Sequence, residues 1–248
     1  MTKKLPVVLL ALAFAAAACG GGPDAKSAEK PSRSKPTTAS PTANPSNRAD
    51  QAIADGSVLT LADFPAGWEA KKSDGDKDEA ENRRIAECAA VSYDELYGGT
   101  SGDADSKDFT SSDDDTISNS VTVSPDEATT IKAFEISSGD KFLSCVEDEL
   151  QKYLEKEAAK EDDITVGDAT VNQMSFDQFG DQTLAFKVTI PMKSQGIGID
   201  VIGEFVHVRV GRASSLITAQ SSVTPFDLDE LTKLVRVSTD RLSAKLNG

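Results

Sequence analysis

The chain has 248 residues and a formal net charge of -15 at pH 7. Residues 51–248 carry most of the acidity, with 19 Lys and Arg against 38 Asp and Glu, a net charge of -19. Such a surface repels nucleic-acid phosphates and anionic lipid headgroups, so we expect no nucleic-acid partner. About 200 residues suffice for one hydrophobic core, and the sequence predicts a single extracytoplasmic domain over residues 51–248.

Residues 1–18 have the three parts of an export signal: Lys3 and Lys4, an apolar run, and small residues that lead to Cys19. The Ala-Ala-Ala-Cys ending resembles the lipobox of bacterial lipoproteins, in which the cysteine is acylated and becomes the new N-terminus. The apolar run over 5–18 is shorter than the roughly 20 residues of a membrane-spanning helix. We therefore expect a lipid anchor at Cys19 on the extracytoplasmic face of the cell membrane. An uncleaved anchor and an ordinary secretory signal are the alternatives.

Residues 19–50 are rich in Pro, Ser, Thr and Lys and have no apolar side chain larger than Ala apart from Cys19 itself. Such a segment cannot bury enough surface to offset the entropy of ordering it, so we predict a disordered tether. Its Ser/Thr-Pro content also resembles O-glycosylated stalks. A bare spacer and a glycosylated stalk both remain open.

Periodicity divides the rest of the chain into helices, then adjacent strands, then a last helix. The Gly- and Ser-rich acidic stretch over 98–115 is predicted to be a loop. Strands joined by short turns imply an antiparallel sheet, so we predict the α+β class, with about four to six strands and helices packed against the sheet. The predicted helices are 79–91, 125–137, a longer one that starts at 137–139 and ends within the charged stretch over 156–163, and a last one that is capped by Asp227 and extends to 246. The predicted strands are 116–124, 164–176, 184–190, 199–210 and 213–223.

Cys88 and Cys145 are an even pair once Cys19 is assigned to lipid, and an exported protein lies in an oxidising compartment. Both fall on apolar helix faces, Cys88 beside Ile85 and Ala89, so we predict a disulfide. The alternatives are a two-ligand metal site and two unpaired buried thiols. The spacing of two cysteines and the lone histidine matches no zinc pattern.

Catalytic signatures do not emerge from the sequence. It has no G-x-S-x-G nucleophile elbow, and the S-x-x-K match through Ser138 and Lys141 has none of its usual partner motifs. The acidic segment over 103–115 has Lys107 and Asp108 where a calcium loop needs an oxygen ligand and Gly. We therefore expect a protein that is not an enzyme and that uses no metal or cofactor.

Five segments together resemble the sensor-like extracellular domains of actinobacterial lipoproteins, which are similar to the extracellular part of some mycobacterial receptor Ser/Thr kinases. The resemblance covers roughly residues 57–246 and implies a twisted antiparallel sheet, flanking helices and a ligand-binding cleft. The kinase sensor domains have two disulfides, whereas this chain offers one cysteine pair. The segments are LTLADFPAGW, FLSCVEDEL, FGDQTLAFKVTIP, IDVIGEFVHVRVGRASSLIT and PFDLDELTKLVRVSTDRL.

The resulting hypothesis is a membrane-tethered, sensor-like domain that binds a small apolar or amphipathic ligand or an envelope protein. A structural or adaptor surface lipoprotein is the second hypothesis, and an unrecognised envelope hydrolase is the third. A cavity of about 300 Å³ or more would favour ligand binding. The candidate lining residues are Trp68, Phe186, Val188, Phe205 and His207.

The lipid anchor is tested by the substitution Cys19→Ser, which removes the acylated sulfur. We expect the variant to be misprocessed or released from the membrane, because no other segment after residue 18 is a long apolar run. Membrane fractionation and the intact mass measure the outcome. A variant that stays membrane-bound with the mass otherwise unchanged would show that Cys19 is not the anchor.

Overall fold

The structure, a computed structural model, describes residues 45–73, 79–97, 99–161, 163–194, 196–222 and 224–248. The predicted signal segment, Cys19 and most of the predicted tether lie outside the described residues. Within these ranges no helix is both long enough and apolar enough to span a bilayer.

Six helices and nine strands make up the described chain, so the predicted α+β class is confirmed. The helices are α1 (Pro45–Asp55), α2 (Glu79–Ala89), α3 (Tyr93–Tyr97), α4 (Glu127–Ser137), α5 (Asp140–Ala158) and α6 (Leu228–Leu246). The strands are β1 (Glu69–Lys71), β2 (Gly102–Asp105), β3 (Asp108–Thr110), β4 (Thr116–Val123), β5 (Ile164–Val166), β6 (Thr170–Gln173), β7 (Gln182–Ser194), β8 (Ile197–Val210) and β9 (Ala213–Ser221).

The strands form one antiparallel sheet in the order β1-β3-β4-β9-β8-β7-β5, with β2 also paired to β4 and β6 to β7. It has more strands than the four to six expected. β2 and β3 lie in the stretch over 98–115, which the sequence predicts to be a loop. Strands of three or four residues show too little alternation to be recognised in the sequence. The single strand predicted over 164–176 is two strands, β5 and β6, which both pair with β7.

Helices cover both faces of the sheet, and residue parity along β8 decides which side chains meet which layer. Val206 and Val208 pack in a buried cluster with Leu234 of α6. Phe205 belongs to a separate cluster with Leu150 of α5. Burial on both faces explains why β8 has apolar residues on both faces, the pattern that predicts a central strand.

The folded chain begins earlier than the sequence indicates. Residues 45–50, assigned to the tether, form the first part of α1. Asp50 is buried and accepts two hydrogen bonds from Arg212, of 2.6 Å from Nη2 and 3.0 Å from Nη1. The hydrogen bonds from Arg212 are the main reason why the pKa of Asp50 is lowered. The backbone of α1 passes so close to Gly102 that a Cβ there would overlap it, so α1 is packed against β2.

The predicted disulfide is confirmed: Cys88 of α2 is bonded to Cys145 of α5, with their Cα atoms 5.8 Å apart. Cys145 is buried but Cys88 is exposed, contrary to the expectation that both face inward. The buried face of α2 consists of Asn82, Ile85 and Ala86, which leaves Cys88 at the edge of that face. The bond therefore joins the edge of the buried face of α2 to the buried face of α5.

Removing this disulfide with the double substitution Cys88→Ser and Cys145→Ser should lower the free energy of unfolding. The bridge closes a loop across 57 positions of sequence, for which the chain-entropy model gives about 4 kcal/mol as an upper figure. Denaturant unfolding of the two forms measures the difference. A free-thiol assay on the denatured, unreduced wild type should find that neither Cys88 nor Cys145 reacts. Two reactive thiols at these positions would contradict the bond.

Candidate functional site

A cavity of about 80 Å³ lies between the sheet and the helices α3, α4 and α5. Strands β4, β7, β8 and β9 form its floor. Parity places Phe205 and His207 of β8 on this face, and the register pairs Phe205 with Phe186 of β7 and His207 with Leu216 of β9. All four of these residues line the cavity.

Aromatic rings dominate the apolar wall of the cavity. Phe186 and Phe205 come from the floor, Phe134 from α4, Phe142 from α5 and Tyr97 from α3. All five side chains are buried. The rest of the lining consists of seven Ser and Thr residues, three aliphatic residues and His207, so rings and hydroxyl groups meet in the same space.

His207 is the only histidine of the chain, and its ring packs against Phe134 with the centroids 4.1 Å apart. Part of the residue is accessible to solvent, but its Nε2 atom is sealed and has no hydrogen-bond partner among the described protein atoms. Burial lowers the pKa of His207 to about 4, because the charged imidazolium would lose its hydration. The ring is therefore neutral at pH 7.

Thr130 contributes a second buried polar atom to the cavity. The residue is 4% exposed, and its Oγ1 has no hydrogen-bond partner within the described part of the chain. It precedes Phe134 by one helical turn on the same face of α4. By contrast, Thr129 and Ser137, which also line the cavity, donate hydrogen bonds to Asp126 and to the carbonyl of Ala133.

No Asp, Glu, Lys or Arg occurs among the sixteen lining residues. Charged residues hold α4 from outside the cavity instead. Nη1 of Arg209 in β8 lies 2.9 Å from Oε1 of Glu127. Nζ of Lys132 lies 2.6 Å from Oε1 of Glu95 in α3. The hydrogen bond from Lys132 lowers the pKa of Glu95 to about 2. The interior of the cavity is thus an uncharged environment.

The structure brings together three of the five candidate lining residues, Phe186, Phe205 and His207. Val188 lies on the same face of β7 but is completely buried in the cluster that packs against α5. Trp68 lies on the opposite side of the sheet, where its ring is 4.9 Å from that of Phe64. Val188 is therefore separated from the cavity by the core, and Trp68 is separated from it by the sheet.

Sequence reasoning did not find Thr130 and Phe134, the two residues of α4 that are buried. The available signal was their spacing of four residues on one face of a helix predicted from its Pro and acidic first turn. This spacing alone does not predict a site, because the helix shows little apolar periodicity elsewhere. The pairing with His207 arises between distant segments and leaves no trace in local sequence.

No group of three or more His, Cys, Asp or Glu residues within the described ranges is arranged to hold a metal ion. No family model and no curated protein sequence matches the chain significantly.

Two solved structures from Mycobacterium tuberculosis align with most of the chain. The alignment with the extracellular domain of PknH covers 79% of this chain and 96% of that domain, with a TM-score of 0.38 and 8% sequence identity. LpqN, described as involved in cell envelope biogenesis, aligns with 73% of this chain and 78% of that chain, with a TM-score of 0.25 and 12% identity. Both matches are to mycobacterial proteins, the group that the sequence resembles, and no residue role is transferred from either.

The lone histidine allows its environment to be measured directly. We expect the His207 ring to titrate with a pKa near 4 in an NMR pH titration, because burial opposes its charge. The unfolded chain has a histidine pKa of about 6.5, so it takes up a proton between pH 6.5 and 4 while the folded chain does not. The free energy of unfolding should therefore fall by up to about 3 kcal/mol as the pH drops through this window.

The control for this titration is His207→Phe, which should lose that part of the pH dependence and keep the part due to carboxyl groups. A ring that titrates near pH 6.5 in the folded wild type would show that the cavity is open to water.

Proposed function

We propose that the chain is a membrane-tethered extracytoplasmic lipoprotein whose folded domain binds a small apolar or amphipathic molecule without chemically changing it. The observation that supports this most directly is the cavity between α4 and the sheet, which is lined by aromatic rings. Two of its lining residues carry a buried polar atom without a hydrogen-bond partner in the described part of the chain, His207 Nε2 and Thr130 Oγ1. Binding sites combine a mainly apolar wall with a few polar groups that orient the ligand. The signal-like sequence before Cys19 supports the extracytoplasmic location.

The volume of the cavity constrains the proposal. At about 80 Å³ it is smaller than the 300 Å³ or more of a typical ligand site. A larger ligand therefore has to displace part of the wall. Helix α4 is held weakly, because it buries only Thr130 and Phe134 and its ion pair between Lys132 and Glu95 is exposed on both sides. Its other pair joins the exposed Glu127 to Arg209, which is buried and also lies within 3.4 Å of Asp181. Exposed pairs contribute roughly 0–1 kcal/mol each.

The adaptor hypothesis has one observation in its favour, at the far end of the β7–β8 hairpin. Ile197 is 69% exposed there. A surface cavity of about 420 Å³ beside it is lined by Met192, Ile199 and Val166 among others. Exposed apolar groups of this kind are more common at interaction surfaces than elsewhere. This surface lies away from His207, so the two functions are separable by mutation.

The test is native mass spectrometry of the mature chain purified from its own envelope, compared with the variant Ala133→Leu. Ala133 lines the cavity, and leucine keeps the helix propensity while filling the space. We expect the wild type to retain a non-covalently bound small molecule and Ala133→Leu to lose most of it.

The matched control is Ala128→Leu, the same change at an exposed position of the same helix, which should retain the molecule. Circular dichroism checks that all three proteins are folded. Equal retention by wild type and Ala133→Leu would exclude the cavity as the binding site. A bound protein in place of a small molecule would favour the adaptor function.

A further inference from the structure

We infer that the cavity under α4 selects an uncharged molecule with a hydroxyl group on a hydrocarbon or aromatic body, and that Thr130 and His207 bind that hydroxyl group. The inference rests on the proposed function and adds the chemical class of its ligand. It follows from which polar atoms in the cavity lack partners, from the absence of charge in its lining and from its volume.

The polar end of the cavity is defined by two atoms with unused hydrogen-bonding capacity. Thr130 Oγ1 and His207 Nε2 are both sealed from solvent, and neither has a partner among the described protein atoms. They come from different layers, α4 and β8, which meet where the Phe134 ring packs on the His207 ring. Thr130 lies one helical turn before Phe134, and Thr130 and His207 both line the cavity.

Leaving such a group unpaired is unfavourable, because the group has lost its hydrogen bonds to water without gaining others. Both residues line one small cavity, so a polar group that enters it has these two atoms to pair with. Because both atoms are sealed in the closed cavity, such a group reaches them when α4 moves, as the proposed function requires.

The partner has to be uncharged. The lining contains no Asp, Glu, Lys or Arg, and its only titratable groups are His207 and Tyr97. Burial favours the neutral form of both, since it lowers the pKa of His207 and raises that of Tyr97. A carboxylate, phosphate or ammonium group placed there would lose its hydration without meeting an opposite charge.

A hydroxyl group fits both atoms better than other neutral groups. It donates one hydrogen bond and accepts others, as a threonine hydroxyl does. It can therefore pair with Thr130 Oγ1 in either direction and with His207 Nε2 in either tautomer of the neutral ring. A hydrocarbon would leave both atoms unpaired. The rings of Phe142, Phe186 and Phe205 then contact the apolar body of the ligand.

The test compares phenol with toluene, which has a methyl group in place of the hydroxyl group, on the full mature chain. The signals of the single histidine ring and of the α4 backbone report binding in an NMR titration. We expect phenol to bind about tenfold or more tightly than toluene, because it satisfies both buried atoms. Benzoate, which carries a charge on a similar ring, should bind at least about tenfold more weakly than phenol.

The variant Thr130→Val removes the hydroxyl group at nearly constant volume and should reduce the preference for phenol over toluene to about threefold or less. Ser137→Ala is the matched control, because Ser137 lines the same cavity on the same helix but already donates its hydrogen bond to Ala133. The control should keep the wild-type preference.

Three outcomes would overturn the inference. They are equal binding of phenol and toluene, a preference that survives in Thr130→Val, and failure of phenol to perturb the His207 ring. The proposed function fails separately, if the molecule retained from the envelope does not depend on Ala133. Retention that depends on Ala133, together with equal binding of phenol and toluene, would leave the function standing with a ligand of another class.

Discussion

The register of β8 between β7 and β9 is the constraint on which the rest of the structure depends. β8 pairs with β7 from Ile197 to Arg209 and with β9 from Ile202 to Val210. Successive side chains point to opposite faces, so a slip of one residue would exchange the two faces. His207 would then face α6, and the buried Glu204 would face the aromatic rings under α4. Because both faces are covered, only one register buries the correct side chains.

Two titratable groups on β8 illustrate what this register imposes. Glu204 on the α6 face is 2% exposed, and its Oε2 has no partner among the described atoms. Burial raises the pKa of Glu204 and lowers that of His207 on the other face. Both shifts favour the neutral form. The centre of the sheet therefore holds two uncharged polar groups, and the apolar packing around them offsets the free-energy cost of burying them.

The helices that cover the sheet are held to very different degrees. α6 buries six of its residues and is capped by Asp227, and α5 is joined to α2 by the disulfide. α4 buries two residues and relies on its Asp126 cap, worth about 1 kcal/mol, and on ion pairs with exposed partners. The cavity therefore lies beneath a helix with little packing to lose, which relates local stability to the proposed binding role.

The sequence by itself determined the features that depend on local periodicity or local chemistry. These include the α+β class, the strands β4, β7, β8 and β9, the helices α5 and α6, and the cysteine pair. Tertiary structure alone decided the short strands β1 to β3, the start of α1 at Pro45 and the place of each candidate site residue. β8 is apolar on both faces, so alternation could not separate the face of Phe205 from that of Val206. Only packing against α4 and α6 made that distinction, which is why Phe186, Phe205 and His207 meet in one cavity while Trp68 lies across the sheet.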